Sequence, residues 1–277
     1  MKRKKYRWLS LVSVLAVLGL WQLVTDGLHL MPDYMLPSPM AVCRAFAYKL
    51  GGGVNPDGAS LWTHIFTSLK IALGGYLAGA VIGVPLGVAM AWYKKVDLFV
   101  KPLFDLLRPI PPLAWIPLMI LWFGIGYGAK VAIIFISAMI ACVVNSYAGI
   151  KQTRQVHIWV AQTFAASDLQ VLLRVALPTA WPMIFTGLKT SLGSAWMALV
   201  AAELLASTSG LGYMIQMARQ MGRADIIVVG MIVIGLIGAA LSACAGWNIW
   251  AGLAVGGAIG LCFDGIRRVQ TDGGERQ

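Results

Sequence analysis

Long apolar stretches alternate with short polar breaks along this chain, and the breaks carry most of the information. Leu9 to Val24 is apolar behind a start that holds Lys2, Arg3, Lys4, Lys5 and Arg7. Ile65 to Trp92 forms a second apolar helix and ends at Lys94-Lys95. A third begins near Phe99 and is interrupted by Pro109, Pro111, Pro112 and Pro117 before Phe123. A fourth runs from about Lys130 to Tyr147, a fifth from about Phe185 to Leu205 and a sixth from Ile226 to Ala243. Runs of this kind lie near the length that crosses a hydrocarbon core. The pattern predicts an all-α, polytopic helical membrane protein of about six transmembrane helices. Prolines as dense as those of the third span free helical carbonyls, which a bilayer tolerates only beside protein or a water-filled cavity.

Composition agrees. The chain is 59% hydrophobic and 12% charged, with mean hydropathy +0.77, whereas soluble domains carry about a quarter charged residues. A net charge of +11 would direct a soluble protein to nucleic acid. In a membrane protein Lys and Arg collect on the cytoplasmic side of spans, so no nucleic-acid partner is expected. No small-x-small site follows the first apolar run, which continues Thr25-Asp26-Gly27. It reads as an uncleaved span with a cytoplasmic N-terminus. Even-numbered spans then end inside, and Lys94, Lys95, Lys151, Arg154 and Arg174 fall in the cytoplasm. Cys43, Cys142, Cys244 and Cys262 show no metal-ligand spacing, and neither a disulfide nor a metal site is expected.

These readings divide the chain into an N-terminal span (1–25), an extracytoplasmic segment (26–62), a core (63–245) and an apolar tail (246–277). In the tail Gly252, Gly256 and Gly260 recur every four residues, a close-packing face. A seventh span there would put Arg267 and Arg268 outside. A re-entrant hairpin and a surface helix are the alternatives, and six spans with an appended tail is the expectation.

One polar break, residues 151–180, is far longer than a turn needs. Ser167 with Gln170 three residues on forms a capping box, and Asp168 sits in the first turn. The helix it starts carries Leu169, Leu172, Leu173, Ala176 and Leu177 on one stripe. Pro178 and Pro182 are expected to stop it. A shorter helix, about Val156 to Phe164, precedes the cap. The pattern alone also fits an interfacial helix lying on lipid.

Trp159 to Ala165, nine residues, then Val175-Ala176-Leu177-Pro178 resembles the cytoplasmic signature loop of ATP-binding-cassette (ABC) importer permeases, E-A-A-x-x-x-G followed after nine residues by I-x-L-P. Trp159 stands where the family has Glu, Val160 and Ala161 stand for the two Ala, and Ala165 stands for Gly. Leu36–Pro39, Arg108–Gly126, Asn145–Gly149 and Pro178–Gly212 resemble segments of the nitrate/sulfonate/taurine-type branch. The resemblance covers about residues 30–240. It implies the type I importer permease fold and a place in the cell inner membrane. It implies a pathway for a small anionic solute, built by two permease copies as a homodimer. Each copy would seat one cytoplasmic ATPase, which binds the ATP and Mg, so that two ATPase subunits serve the pair. An extracytoplasmic solute-binding protein would deliver the cargo. Residues Trp159, Val160, Ala161, Gln162, Thr163, Phe164, Ala165, Ala166, Ser167 and Asp168 would then couple the ATPase to the membrane helices.

The remaining chemistry is sparse. No G-x-x-x-x-G-K-[ST] phosphate loop occurs, so the chain is not expected to be an enzyme or to carry a cofactor of its own. Pathway candidates are Pro111, Pro112, Trp115 and Pro117 in the broken span, Asn145 and Ser194 on later spans, and Glu203, an acid deep in the fifth. For Glu203 the competing reading is a structural partner of a hydroxyl or of Lys70. His29, His64 and His157 read as interfacial residues, and Trp62, Trp92 and Trp122 as anchors or packing. Arg219 and Arg223 could steer an anion or contact a binding protein, or form a solvated face. An ATP-independent secondary transporter or channel is the alternative function. It leaves the 151–180 module without a task.

Overall fold

The computed structural model describes residues 2–28, 31–205 and 207–244, and every regular element among them is helical. In chain order these are α1 (Lys2–Gln22), α2 (Pro39–Leu50), α3 (Leu61–Trp92), α4 (Lys94–Leu107), α5 (Ile116–Phe123), α6 (Tyr127–Lys151), α7 (Gln155–Thr163), α8 (Asp168–Val171), α9 (Leu177–Leu205), α10 (Leu211–Gln220) and α11 (Ala224–Cys244). Among the described residues, four continuous helices are long and apolar enough to span: α3, α6, α11 and the stretch Asp168–Leu205. A fifth candidate is broken, with Lys94–Leu107 and Pro112–Phe123 meeting at 87°. The first expected span falls short of that standard, since its apolar described stretch is Val12–Gly27. The expected tail span, 246–263, lies outside the described residues.

The segment 26–62 holds α2, whose N-cap Ser38 accepts a hydrogen bond from the Ala41 amide, with Pro39 at the first helical position. That Ser-Pro pair is a start signal legible in the sequence. Pro178 and Pro182, expected to stop a helix, do not end one. Helical backbone continues from Asp168 to Leu205, with a π turn at Leu172–Ala176. A proline ring normally clashes with the carbonyl four residues earlier. The widened π turn lies where Pro178 needs that room, and the Thr179 hydroxyl bonds the Val175 carbonyl at 2.7 Å.

The chain divides into two compact units, one of Met1–Lys70 with Val200–Ile237 and one of Ile71–Leu199 with the residues from Gly238. In the second, α6 is the centre. Gly75, Gly79, Gly83 and Gly87 of α3 face it at four-residue intervals. A Cβ on any of them would come within 2.6–2.9 Å of α6 atoms, the nearest belonging to Ile134, Ala138, Cys142 and Val143. Another part of α6 meets α9 in the same way: Gly149 approaches Met183 and Ala180, and Gly187 of α9 approaches Asn145. Where lipid is as apolar as Leu, helices associate through such close van der Waals contact. Below this seam Ala91, Ile150, Leu172, Ala176, Ala180 and Ile184 form a buried cluster that binds the ends of α3 and α6 to the start of α9.

Gly79→Val is expected to part α3 from α6, because its side chain would meet the backbone of Phe135 and Met139. Overpacking of this kind costs about 1–3 kcal/mol or more. The melting temperature of the detergent-solubilised protein should fall clearly, while Gly235→Ala, where nothing lies within 4 Å, should leave it unchanged.

Candidate functional site

The 151–180 module is built from three local devices. Helix α7 ends in a Schellman turn, in which Ala165 N–H bonds the Gln162 carbonyl at 2.9 Å and Ala166 N–H bonds the Ala161 carbonyl at 3.2 Å. That turn needs a left-handed residue, and Ala165 takes it at φ 55°, the one non-glycine residue with positive φ among those described. This is the position at which the resembling signature has Gly. Next comes the capping box: Gln170 N–H donates to Ser167 Oγ at 3.4 Å, and Ser167 N–H donates to Gln170 Oε1 at 2.9 Å. Finally the indole N–H of Trp92, at the end of α3, donates to Asp168 Oδ2 at 3.0 Å. Trp92, read as an anchor or packing residue, instead pins the module to a spanning helix. Leu172 and Ala176 of the π turn enter the cluster below the glycine seam.

The outward side of this module is apolar. Val156, Trp159, Val160 and Phe164 are 58%, 59%, 52% and 74% exposed. The first three lie three and four residues apart, on one face of α7, and Phe164 caps its end. Thr163 turns its hydroxyl back to the Val160 carbonyl at 2.7 Å. Gln162, Ala165, Ser167 and Asp168 are exposed, whereas Ala161 and Ala166 are half-buried.

The break in the third span lines a cavity of about 330 Å³. Pro111, Pro112 and Ser194, three of the pathway candidates, meet there with Arg108, Pro109 and Ser137. The Ser194 hydroxyl donates to the Ser191 carbonyl at 3.0 Å. The other candidates are not on its wall. Asn145 Nδ2 donates to the Ala141 carbonyl at 2.8 Å, and its Cβ lies against Gly187. Trp115 has an enclosed indole nitrogen without a hydrogen-bond partner. Pro117 is exposed at the start of α5.

Glu203 belongs to a different construction. Its carboxylate accepts from Ser68 Oγ at 2.8 Å and from the Gly212 amide at 2.9 Å. The Ser68 oxygen also accepts from the Leu211 amide at 2.9 Å, and His64 Nδ1 accepts from the Gly210 amide at 3.1 Å. Three buried side chains thus satisfy three free amides at the start of α10. The hydroxyl partner weighed for Glu203 is Ser68. His64, read as interfacial, is fully buried, because it is both an acceptor for α10 and a neighbour of Asp57. With Nδ1 accepting, its proton sits on Nε2, against the Asp57 carboxylate. Asp57 also pairs with buried Lys49, whose ammonium donates to the Ala59 carbonyl at 3.1 Å. Sequence reading missed Lys49, Asp57 and Ser68, because they come together through an irregular loop that no periodicity marks. His157 is exposed, and His29 lies outside the described residues. Arg223 is held by Asp225 in a two-pronged pair at 3.0 and 2.8 Å, so its charge is locally matched.

Burial raises the Asp57 carboxyl, but the contacts with His64 and Lys49 outweigh it and leave the group below its ordinary value of 3.8. A depressed folded value stabilises the protein above pH 3.8, and that contribution is lost as pH falls through the folded value. Asp57→Asn should therefore lower the melting temperature at pH 7 and lose its effect only under strong acid. Leaving Lys49 buried without its partner costs about 3–5 kcal/mol. At the turn, Ala165→Gly should stabilise the protein by up to about 1 kcal/mol by relieving a left-handed alanine, whereas Ala165→Val should destabilise it. Thermal unfolding of both variants checks the sign.

Comparison with known proteins identifies the family. Residues 83–249 match the family described as binding-protein-dependent transport system inner membrane component. The chain is 38% identical over 246 residues to the taurine transport system permease protein TauC of Escherichia coli, covering 85% of this chain and 88% of that one. It is 32% identical over 238 residues to the nitrate import permease protein NrtB of Leptolyngbya laminosa, covering 85% and 84%. It is 30% identical over 248 residues to the bicarbonate transport system permease protein CmpB of Synechococcus elongatus, covering 86% and 87%. Among solved structures, a chain of the inward-facing MetNI methionine ABC transporter superposes with TM-score 0.61 at 18% identity, over 69% of this chain and 97% of that one. That likeness shows a shared fold. With its helical core, its capped 151–180 module and these relatives, the chain belongs to the binding-protein-dependent transport system inner membrane component family, the permeases of ABC importers.

Proposed function

We propose that α7 is the docking helix for a separate cytoplasmic ATPase and that it drives the membrane helices of an importer for a small anion. The observation that carries this is the unpartnered apolar face of Val156, Trp159, Val160 and Phe164 on a module held rigid at both ends. An amphipathic helix lays such a face into a groove on its partner. The Schellman turn and capping box fix α7 against α8, the Trp92–Asp168 bond ties α8 to α3, and the π turn feeds directly into α9. A push on α7 is thereby delivered to two spanning helices at once.

In this reading two copies of the chain pair around the pathway, each with one ATPase that binds ATP and Mg, and a solute-binding protein delivers cargo from the opposite face. The N-terminus and the 151–180 module lie in the cytoplasm, in agreement with Lys94, Lys95, Lys151 and Arg154 near the same helix ends. Taurine, nitrate and bicarbonate, the cargoes in the relatives' names, share an anionic group, and that is the class proposed here. An ATP-independent carrier would need a mid-membrane acid to bind a coupling ion, and the carboxylate of Glu203 is engaged by Ser68 and Gly212 instead.

Trp159→Ala and Phe164→Ala should each weaken co-purification of the ATPase by about tenfold or more, the scale of an interface hot spot. Both side chains are exposed, so the melting temperature of the permease alone should not move. Uptake into vesicles should require an ATPase able to hydrolyse ATP, and transport that continued with a hydrolysis-dead ATPase would sink the reading.

A further inference from the structure

We infer that Arg108 is the anion-selecting residue of the pathway, a role that rests on the permease reading above. Among the described residues, Arg108 is the only charged side chain lining the cavity at the broken third span, and no acid lines it. No salt bridge engages its guanidinium among the described residues, and the side chain is exposed. The fold fixes where that side chain starts: Arg108 caps α4, donating its amide to the Phe104 carbonyl at 2.8 Å, immediately before the chain turns by 87° into Pro112–Phe123.

Beside Arg108 the wall offers the Ser137 hydroxyl and little else that can donate to an anion. Pro109, Pro111 and Pro112 have no amide to donate. Ser194 already donates its hydroxyl hydrogen to the Ser191 carbonyl. Ile140 and Ala141 are apolar. An anion that loses its water in such a space meets a large desolvation cost, which one fixed cation offsets. Guanidinium is planar and forked, and it matches two oxygens of a sulfonate, nitrate or bicarbonate at once. A volume of about 330 Å³ lies at the lower end of the range for small-molecule sites. A single exposed cation also binds weakly enough for the solute to leave, which conduction requires.

The test uses the full complex of permease, ATPase and binding protein in vesicles, with labelled taurine, nitrate and bicarbonate as probes. Arg108→Gln should lower uptake of the anion that the wild type carries by tenfold or more. Arg108→Lys should retain a substantial part of it. Hydrolysis of ATP stimulated by the loaded binding protein should stay within about twofold in both variants, which a folding or docking defect would not allow. Arg108→Gln uptake equal to wild type overturns the assignment, as does equal loss in Arg108→Gln and Arg108→Lys together with lost hydrolysis. A defect seen in vesicles containing phosphatidylglycerol and absent in phosphatidylcholine alone assigns Arg108 to a lipid headgroup and also overturns it. Wild-type uptake that ignores ATP hydrolysis fails the permease reading instead.

Discussion

Contact of one helix backbone against another is the constraint on which this structure depends. Lipid offers no hydrophobic reward for burying one apolar helix on another, so association has to come from short-range packing. Gly75, Gly79, Gly83 and Gly87 remove the side chains that would hold α3 away from α6, and Gly149 and Gly187 do the same between α6 and α9. The seam makes α6 the common support of α3 and α9. The cluster of Ala91, Ile150, Leu172, Ala176, Ala180 and Ile184 continues that support to the base of the 151–180 module. The force transmission proposed for this module needs such a base. A helix floating on lipid would rotate under load, whereas α7 is joined to packed helices by a turn, a cap and a bond from Trp92.

Buried polar groups are few, and two sets of them have a structural task. The start of α10 would leave buried amides unsatisfied, a cost of about 1–3 kcal/mol each, and His64, Ser68 and Glu203 remove it. The Lys49–Asp57–His64 contacts then tie the irregular segment after α2 to this cap. On the other unit, Tyr147 donates to Asp97 at 3.3 Å and lies under Lys101 and Lys151, whose ammonium groups stand 4.9 and 5.5 Å from its ring centre. These contacts join the start of α4 to the end of α6. Arg108 stands apart from both sets, at the lip of the one break in which prolines have stripped the wall of amides.

Periodicity and turn chemistry made much of this legible. The apolar runs located α3, α6 and α11 within a few residues, since a bilayer leaves little freedom in span length, and they placed the end of α9 but not its start, which lies eight residues earlier at Leu177. Ser167 and Gln170 announced their capping box, because that motif is local. The proline cluster announced the break between α4 and α5. Other features depend on partners far away in sequence. The hydroxyl facing Glu203 comes from Ser68, and the residue that makes His64 a buried acceptor is Gly210. Pro178 and Pro182 misled for the opposite reason: a proline stops a helix in water, but within a packed bundle a π turn at Leu172–Ala176 lets the helix continue past it. The left-handed conformation of Ala165 was visible only as a departure from a family pattern, and the backbone supplies its meaning.

The proposed docking requires that α7 face a protein partner rather than lipid, and Phe164 at its C-cap is the most exposed of the large apolar residues on that face. A photoreactive phenylalanine analogue placed at position 164 in the membrane-embedded complex reads this directly. A covalent adduct with the ATPase subunit is expected after illumination. Adducts with phospholipid alone, in a preparation that contains the assembled ATPase, would contradict the proposed docking.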